Sequence, residues 1–491
     1  MTAGAVAGQA VGAWETVVGL EVHCELRTET KLFCGCRNAF GEEPNTNICP
    51  VCLGLPGSLP VLNERAVEYA MRIGTALHCT VVPSVFHRKN YFYPDMPKDY
   101  QISQYDLPIN IDGRLELPGG KEVGIVRAHI EEDTGKSTHV GGGGRIHEAA
   151  HSLVDYNRAG VPLVEIVSHP DLRGADEAKA YVEELRAILV ATGSSDGKME
   201  EGSLRVDANV SVRPAGSQEL GTRCEIKNMN SLRSLGRAIE YEVARQIALV
   251  ESGQPVVQET RHWNEADGQT HSMRSKEEAE DYRYFREPDL VPLEPSAEWV
   301  AAVAAALPPL PAERRGRVAA ASGLDAGADA VVTVVNLDLD PFVTAVAGVR
   351  GNAELAVRRL ANEVAASVDQ ARHLDPDAFC RLIQMEDRGE LSTAQARTVL
   401  KELLAASGSG RGATDPAAIA AGLGFEAMAD DALGAAVDEV IAANPAEWAR
   451  YCEGEDKLAG LFVGQVKRAT QGKADPAAVS ALLRTRRQSG G

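Results

Sequence analysis

No stretch of this chain reaches the about 18 consecutive apolar residues that a membrane-spanning helix needs, so no membrane span and no membrane partner are expected. The first 13 residues have neither a basic start nor an apolar core, which excludes a secretory signal and leaves a disordered leader as the expectation. A disulfide framework is also disfavoured. Only nine cysteines occur in 491 residues, a density that fits free thiols or a metal in a reducing cytoplasm. Positive charge is scarce: 50 Lys and Arg stand against 70 Asp and Glu, for a net charge of −20 that disfavours nonspecific nucleic-acid binding. Missing too is a phosphate-binding loop, because the glycine run at 141–144 lacks both the Lys-Ser/Thr ending and a strand-to-helix setting.

What the chain does have is length for two or three domains. Strands with Gly- and Pro-marked turns run to about residue 290, and prolines 292, 295, 308, 309 and 311 mark a boundary. Helical signals follow. Asp375-Pro376 opens a helix with stripe Phe379, Leu382 and Ile383, ended by Gly389, and Ser392 caps the next, with stripe Val399, Leu400, Leu403 and Leu404. The glycine- and serine-rich stretch 407–412 reads as a linker. Further helices carry Leu433, Val437, Val440 and Ile441, then Leu458, Leu461 and Val466, and a last one opens at Asp475-Pro476. The expected domains are a leader (1–13), a sheet-rich catalytic body (14–295), a helical connector (296–408), and a linker with a helical tail (409–491). The fold class is α+β.

Four strands show two faces. Between 18 and 26, Val18, Leu20, Val22, Cys24 and Leu26 alternate with Glu21, His23 and Glu25. Between 125 and 133, Val126, Ala128 and Ile130 oppose Arg127, His129, Glu131 and Asp133. From 203 to 213, Leu204, Val206, Ala208, Val210 and Val212 oppose Arg205, Asp207, Asn209 and Arg213. The fourth, 161–167, is apolar but for Glu165, a carboxylate that is costly there unless paired or bound to a metal. Such strands suggest an antiparallel sheet with one face covered and the other an open polar floor. Carboxylates with an imidazole along one edge suit Mg²⁺ or Mn²⁺. His129 reads as structural. Glu132 falls on the face opposite Glu131, which favours Glu131 as the ligand, although a bulge would exchange them.

Cys34-x-Cys36 and Cys49-x-x-Cys52 place four thiols within nineteen positions. They read as a closed structural zinc site, with free thiols as the alternative. From Lys457 onward, seven basic residues face one acid. Lys467, Arg468, Lys473, Arg484, Arg486 and Arg487 can meet phosphates, or the segment is a solubilising helix.

Gly19-Leu20-Glu21-Val22-His23, Arg88-Lys89-Asn90-Tyr91-Phe92-Tyr93-Pro94-Asp95, Tyr100-Gln101-Ile102-Ser103-Gln104, Glu131-Glu132-Asp133-x-Gly135-Lys136-Ser137, Asp155-x-Asn157-Arg158, Met199-Glu200-Glu201-Gly202-Ser203-Leu204-Arg205 and Asp281-Tyr282-Arg283-Tyr284-Phe285 together resemble the B-subunit family of aspartyl/glutamyl-tRNA amidotransferases. The resemblance implies a cradle similar in fold to glutamine synthetase. It also implies ATP-dependent phosphorylation of the side-chain carboxylate of Glu-tRNA(Gln) or Asp-tRNA(Asn), then amidation by ammonia. Glu21, His23, Glu131 and Glu165 match the family's metal-binding, catalytic positions. Arg88, Lys89, Lys98, Arg205 and Lys227 become candidates to neutralise phosphate or carboxylate, and Asn90, Tyr91, Tyr93, Asn209, Asn228 and Asn230 to orient ATP or substrate. The helical tail would bind the misacylated tRNA. No amidase-type Gly-Gly-Ser-Ser segment and no N-terminal cysteine nucleophile occur, so ammonia must come from a partner, in the family an amidase A subunit with a small C subunit wrapped across both. Two other readings fit the residues: a carboxylate–amine ligase acting on a small molecule, and a zinc-stabilised RNA-binding scaffold.

Overall fold

The computed structural model describes residues 10–11, 13–141, 149–275, 282–408, 415–425, 430–470, 474 and 476–489. Expectations placed on residues 1–9 and 12, 142–144, 281, 409–412, Lys473 and Asp475 lie outside them. The chain divides into two compact units, Met1–Glu313 and Arg314–Gly491.

The first unit is mixed α/β. Its strands are β1 (Ala10–Val11), β2 (Trp14–Glu25), β3 (Thr80–Val81), β4 (His87–Asn90), β5 (Tyr100–Ser103), β6 (Asn110–Glu116), β7 (Glu122–Glu132), β8 (Lys136–Val140), β9 (His151–Asp155), β10 (Pro162–Ser168), β11 (Leu204–Pro214), β12 (Cys224–Met229), β13 (Glu259–Asn264), β14 (Gln269–Ser275) and β15 (Phe285–Arg286). Thirteen form one sheet with the path β14-β13-β12-β11-β2-β10-β7-β5-β4-β15; β8 and β9 pair separately. Every pair is antiparallel except β12–β13. A parallel pair needs a long crossover, and the helix Leu232–Glu251 lies between those two strands in the chain.

Alternation in the sequence decides which face is covered. Val18, Leu20, Val22, Ile130, Val164, Ile166, Val206, Ala208 and Val210 are buried in one core. Met71 and Ile73 of the helix Glu64–Ala76, Tyr181, Leu185 and Leu189 of Ala175–Ala191, and Leu235 and Ile239 of Leu232–Glu251 join them there. Each Leu or Ile buried in this way contributes about 1.5–3 kcal/mol. One strand departs from the expected phase. Ile125, not Val126, is buried in the core, because the ladder to β10 shifts register between Val167 and Ser168. This β-bulge stands upstream of Arg127 and leaves the alternation through His129 and Glu131 regular.

Three segments lie across the expected boundaries. The helix Ala297–Ala305, placed by its sequence in the connector, puts Val303, Trp299 and Val300 against the core of the first unit. The helix Thr393–Gly408 runs through the start of the expected linker, and Ser407 Oγ donates to the Leu403 carbonyl. Ala10–Val11 of the expected leader pairs with Trp14 and Glu15. In the second unit, Asp375 caps Pro376–Asp387 by accepting from the Asp377 N–H, and Gly389 follows with φ +73°. Ser392 and Gln395 exchange hydrogen bonds as a capping box. The described residues of this unit form two apolar cores, one between Val318 and Ala420 and one between Leu433 and Leu483.

Candidate active site

Register turns four alternating strands into a grid. On the face of β11-β2-β10-β7 opposite that core, one row reads Arg205, His23, Glu165, His129. The next row reads Asp207, Glu21, Val167, Arg127, and on the other side Glu25, Leu163 and Glu131 line up. Rows lie about 7 Å apart along a strand and neighbours within a row about 5 Å apart. Ionisable residues far apart in the chain therefore become neighbours.

At the centre, His23 Nε2 lies 3.6 Å from Glu131 and 3.7 Å from Glu165. His129 Nε2 approaches the same two carboxylates at 3.7 and 3.2 Å. Burial by itself pushes a carboxyl pKa up and an imidazole pKa down. Here the mutual pairing wins. His129, driven down by burial and up by Glu165 and Glu131, is held at about 9. Glu165 falls well below its ordinary range despite burial, through the charge of His129 and then of His23. Glu131 is also lowered, by the His129 hydrogen bond working against burial. His23, Glu131 and Glu165 present ligand atoms all within 4.8 Å of one another, so together they could hold a metal ion.

Glu21 does not join this trio. It occupies the adjacent row and accepts a 2.8 Å hydrogen bond from Asn209, and its pKa is raised by burial and by the charge of Glu165. Of the four side chains expected at one centre, the structure brings three within 4.8 Å of one another and places Glu21 one row away. His129, read from the sequence as structural, touches both acids; its phase on the strand was the available signal. Glu25, on the other flank, is held up at about 7 by burial and by Asp133. Glu132 points away from the trio, receives the Ile102 N–H at 2.8 Å and pairs with Lys98.

Most of the cations expected to meet phosphate already have carboxylate partners. Arg88 makes a bidentate pair with Glu287 at 2.7 and 2.8 Å and reaches Asp289 at 3.3 Å. Arg205 binds Asp133 at 2.7 Å, and Lys227 binds Asp207 at 2.6 Å and Glu225 at 3.0 Å. Lys89 lies 4.6 Å over the Tyr282 ring and its charge lowers the Glu165 pKa. Asn90 donates to the carbonyls of Tyr282 and Arg283, and Asn228, at φ +70°, donates to the Trp263 carbonyl. Tyr91 and Tyr93 stack on each other at 4.6 Å. Asn230 is exposed just before the Ser231 cap.

The four cysteines converge, with the sulfurs of Cys34, Cys36, Cys49 and Cys52 within 4.8 Å of one another. The Cys49 N–H donates to Cys52 Sγ at 3.1 Å. The hydrogen bond between Cys34 and Cys52 lowers the Cys52 thiol and raises that of Cys34, while burial raises Cys36, so in the metal-free cluster one thiol ionises at the expense of its neighbours. In the tail, Lys467 and Arg468 are exposed in the last turn of Leu458–Ala469, and Arg484 is exposed. Arg486 pairs with Asp438 and Arg487 with Asp456, so those two expected phosphate ligands are already neutralised. No single helix among the described residues is long and apolar enough to cross a membrane.

Residues 16–301 match a family model described as the GatB/GatE catalytic domain, and residues 341–486 match one described as a GatB domain. Three curated relatives are named as the B subunit of aspartyl/glutamyl-tRNA(Asn/Gln) amidotransferase. That of Moorella thermoacetica is 50% identical over 485 residues, covering 96% of this chain and 99% of its own. That of Frankia casuarinae is 50% identical, covering 96% and 95%. That of Myxococcus xanthus is 49% identical, covering 96% and 98%.

Proposed function

This chain belongs to the family of B subunits of aspartyl/glutamyl-tRNA(Asn/Gln) amidotransferases, and from that premise we propose that its polar floor phosphorylates the side-chain carboxylate of a misacylated tRNA and then amidates it. A carboxylate resists attack by ammonia because its leaving group would be oxide. In the proposed reaction a carboxylate oxygen bonds to the γ-phosphorus of ATP and ADP leaves. Ammonia then bonds to the acyl carbon, inorganic phosphate leaves and the nitrogen gives up a proton. The product is Gln-tRNA(Gln) or Asn-tRNA(Asn).

Such transfer depends on positioning and charge neutralisation more than on covalent help. A divalent cation held by His23, Glu131 and Glu165, Mg²⁺ or Mn²⁺, supplies positive charge for the phosphoryl oxygens when bound. His129 fixes the two carboxylates from the buried side, Asn209 orients Glu21, and Lys89 adds a cation beside Glu165. The antiparallel sheet with its ionisable face supports a likeness to glutamine synthetase, which runs the same chemistry on free glutamate. Zinc on Cys34, Cys36, Cys49 and Cys52 would be structural, since four protein ligands leave no open position. Ammonia comes from a partner amidase with a small third chain across both, the tail engages tRNA, and the assembly works in the cytoplasm.

The observation that carries this reading is the convergence of His23, Glu131 and Glu165 on one polar face of the sheet. A small-molecule ligase would leave the basic tail without a role, and a scaffold would have no use for Glu165 inside an apolar strand. The test is Glu165→Gln in the assembled enzyme, with γ-labelled ATP and each mischarged tRNA. Labelled acyl phosphate should fall by about 10²-fold or more while tRNA affinity stays nearly intact. Unchanged turnover would defeat the assignment, and ATP turnover without aminoacyl-tRNA would favour the small-molecule ligase.

A further inference from the structure

Arg127 stands apart from the cations expected to bind phosphate. Arg88, Lys98, Arg205 and Lys227 each have a carboxylate partner. Arg127 has none among the described residues, and its Nε is buried without any hydrogen-bond partner. Leaving a guanidinium N–H unsatisfied in a partly buried place is unfavourable in the free protein and becomes favourable once an anion arrives.

Its position is set by register. Arg127 stands opposite Val167 and His129 opposite Glu165, so the guanidinium belongs to the row next to the His23–Glu165–His129 row, on the same face. The bulge at Val167/Ser168 adjoins this position, and bulges beside active sites re-aim side chains. Tyr284 gives an independent bearing. Its phenol, stacked at 4.1 Å on Tyr105, lies within electrostatic reach of Glu131, Glu165 and Arg127 together. The cation and the two acids therefore all lie on the side of the sheet that Tyr284 covers.

We propose that Arg127 is a substrate-binding residue of this site, its guanidinium holding the oxygens of the phosphoryl group as it passes from ATP to the substrate carboxylate. This rests on the phosphorylation reading above. Arginine suits the task because its planar fork of donors matches phosphate oxygens.

The test uses Arg127→Ala in the assembled enzyme with aminoacyl-tRNA and γ-labelled ATP, beside wild type and Arg127→Lys. Acyl-phosphate formation by Arg127→Ala should fall by about 10²-fold or more, the usual loss for one donor to a developing charge. Retention of tRNA affinity together with recovery of at least about 10-fold on adding guanidinium ion would support the proposal, as would partial activity in Arg127→Lys. A rate within about threefold of wild type would overturn it. So would a loss that neither guanidinium nor lysine relieves, because that pattern belongs to a structural residue. If wild type itself forms no acyl phosphate, the phosphorylation reading fails and the role of Arg127 falls with it, an outcome told apart from failure of Arg127 alone by the wild-type control.

Discussion

Removing Lys98 should destabilise the first unit by about 3 kcal/mol, and a second change should restore most of it. Lys98 and Glu132 form an ion pair whose side chains are only 7% and 2% exposed. Breaking a buried pair from one side leaves an uncompensated charge, at a cost of about 3–5 kcal/mol. Two features place this pair at the lower end. Glu132 keeps the Ile102 N–H at 2.8 Å, and both side chains border a cavity also lined by Phe33, Cys52, Leu55 and Tyr100, where water can reach them. Lys98→Met should therefore lower the urea midpoint by about 1 M, taking a slope of about 3 kcal/mol/M. Glu132→Gln should lose about as much, since it strands an ammonium over the rings of Tyr100 and Phe33. The double variant, which still offers an acceptor to Ile102, should come within about 1–2 kcal/mol of wild type. The reasoning is refuted if either single change costs less than about 1 kcal/mol, or if the double variant loses the sum of the two.

Two further outcomes follow from the cysteines and the tail. The purified chain should carry about one equivalent of zinc by elemental analysis, and Cys52→Ser should lose it and lower the thermal midpoint; metal-free wild type with an unchanged midpoint would speak for free thiols. Lys467→Gln with Arg468→Gln should reduce the slope of log K for tRNA against log salt by about 2, whereas Arg486→Gln with Arg487→Gln should change it by less than half as much, because Asp438 and Asp456 already pair with those arginines. Equal effects from the two pairs of substitutions, read by filter binding across a salt series, would remove the distinction.

Strand faces were legible in the sequence because a period of two needs no partner to be seen. Glu21, His23 and Glu25 fall on one side of β2 whatever lies beside it. Which residues meet was not legible, since it depends on the strand order. Glu165 faces His23 and His129 only because β10 lies between β2 and β7. The same holds for the cations. Arg88 looks available until the chain returns 199 residues later with Glu287. Glu21 looked like a fourth ligand because phase reveals side but not what each side chain meets there; Glu131, also one row from Glu165, reaches the centre, whereas Glu21 accepts from Asn209. The register shift opposite Val167 carries no proline or glycine at 125–127, and its single sequence trace is an apolar pair, Ile125-Val126, where alternation would have placed one. The cysteine cluster was the simplest to read, because short spacing forces proximity.

None of the four strands under the chemistry is an outer one: β12 flanks β11 on one side, and β5 and β6 flank β7 on the other. Their amide protons should be among the last to exchange, since releasing any of them means tearing ladders on both margins. A bulky polynucleotide cannot be accommodated by yielding at that level. Its aminoacyl end must be brought, flexible and correctly turned, to an anvil that stays still.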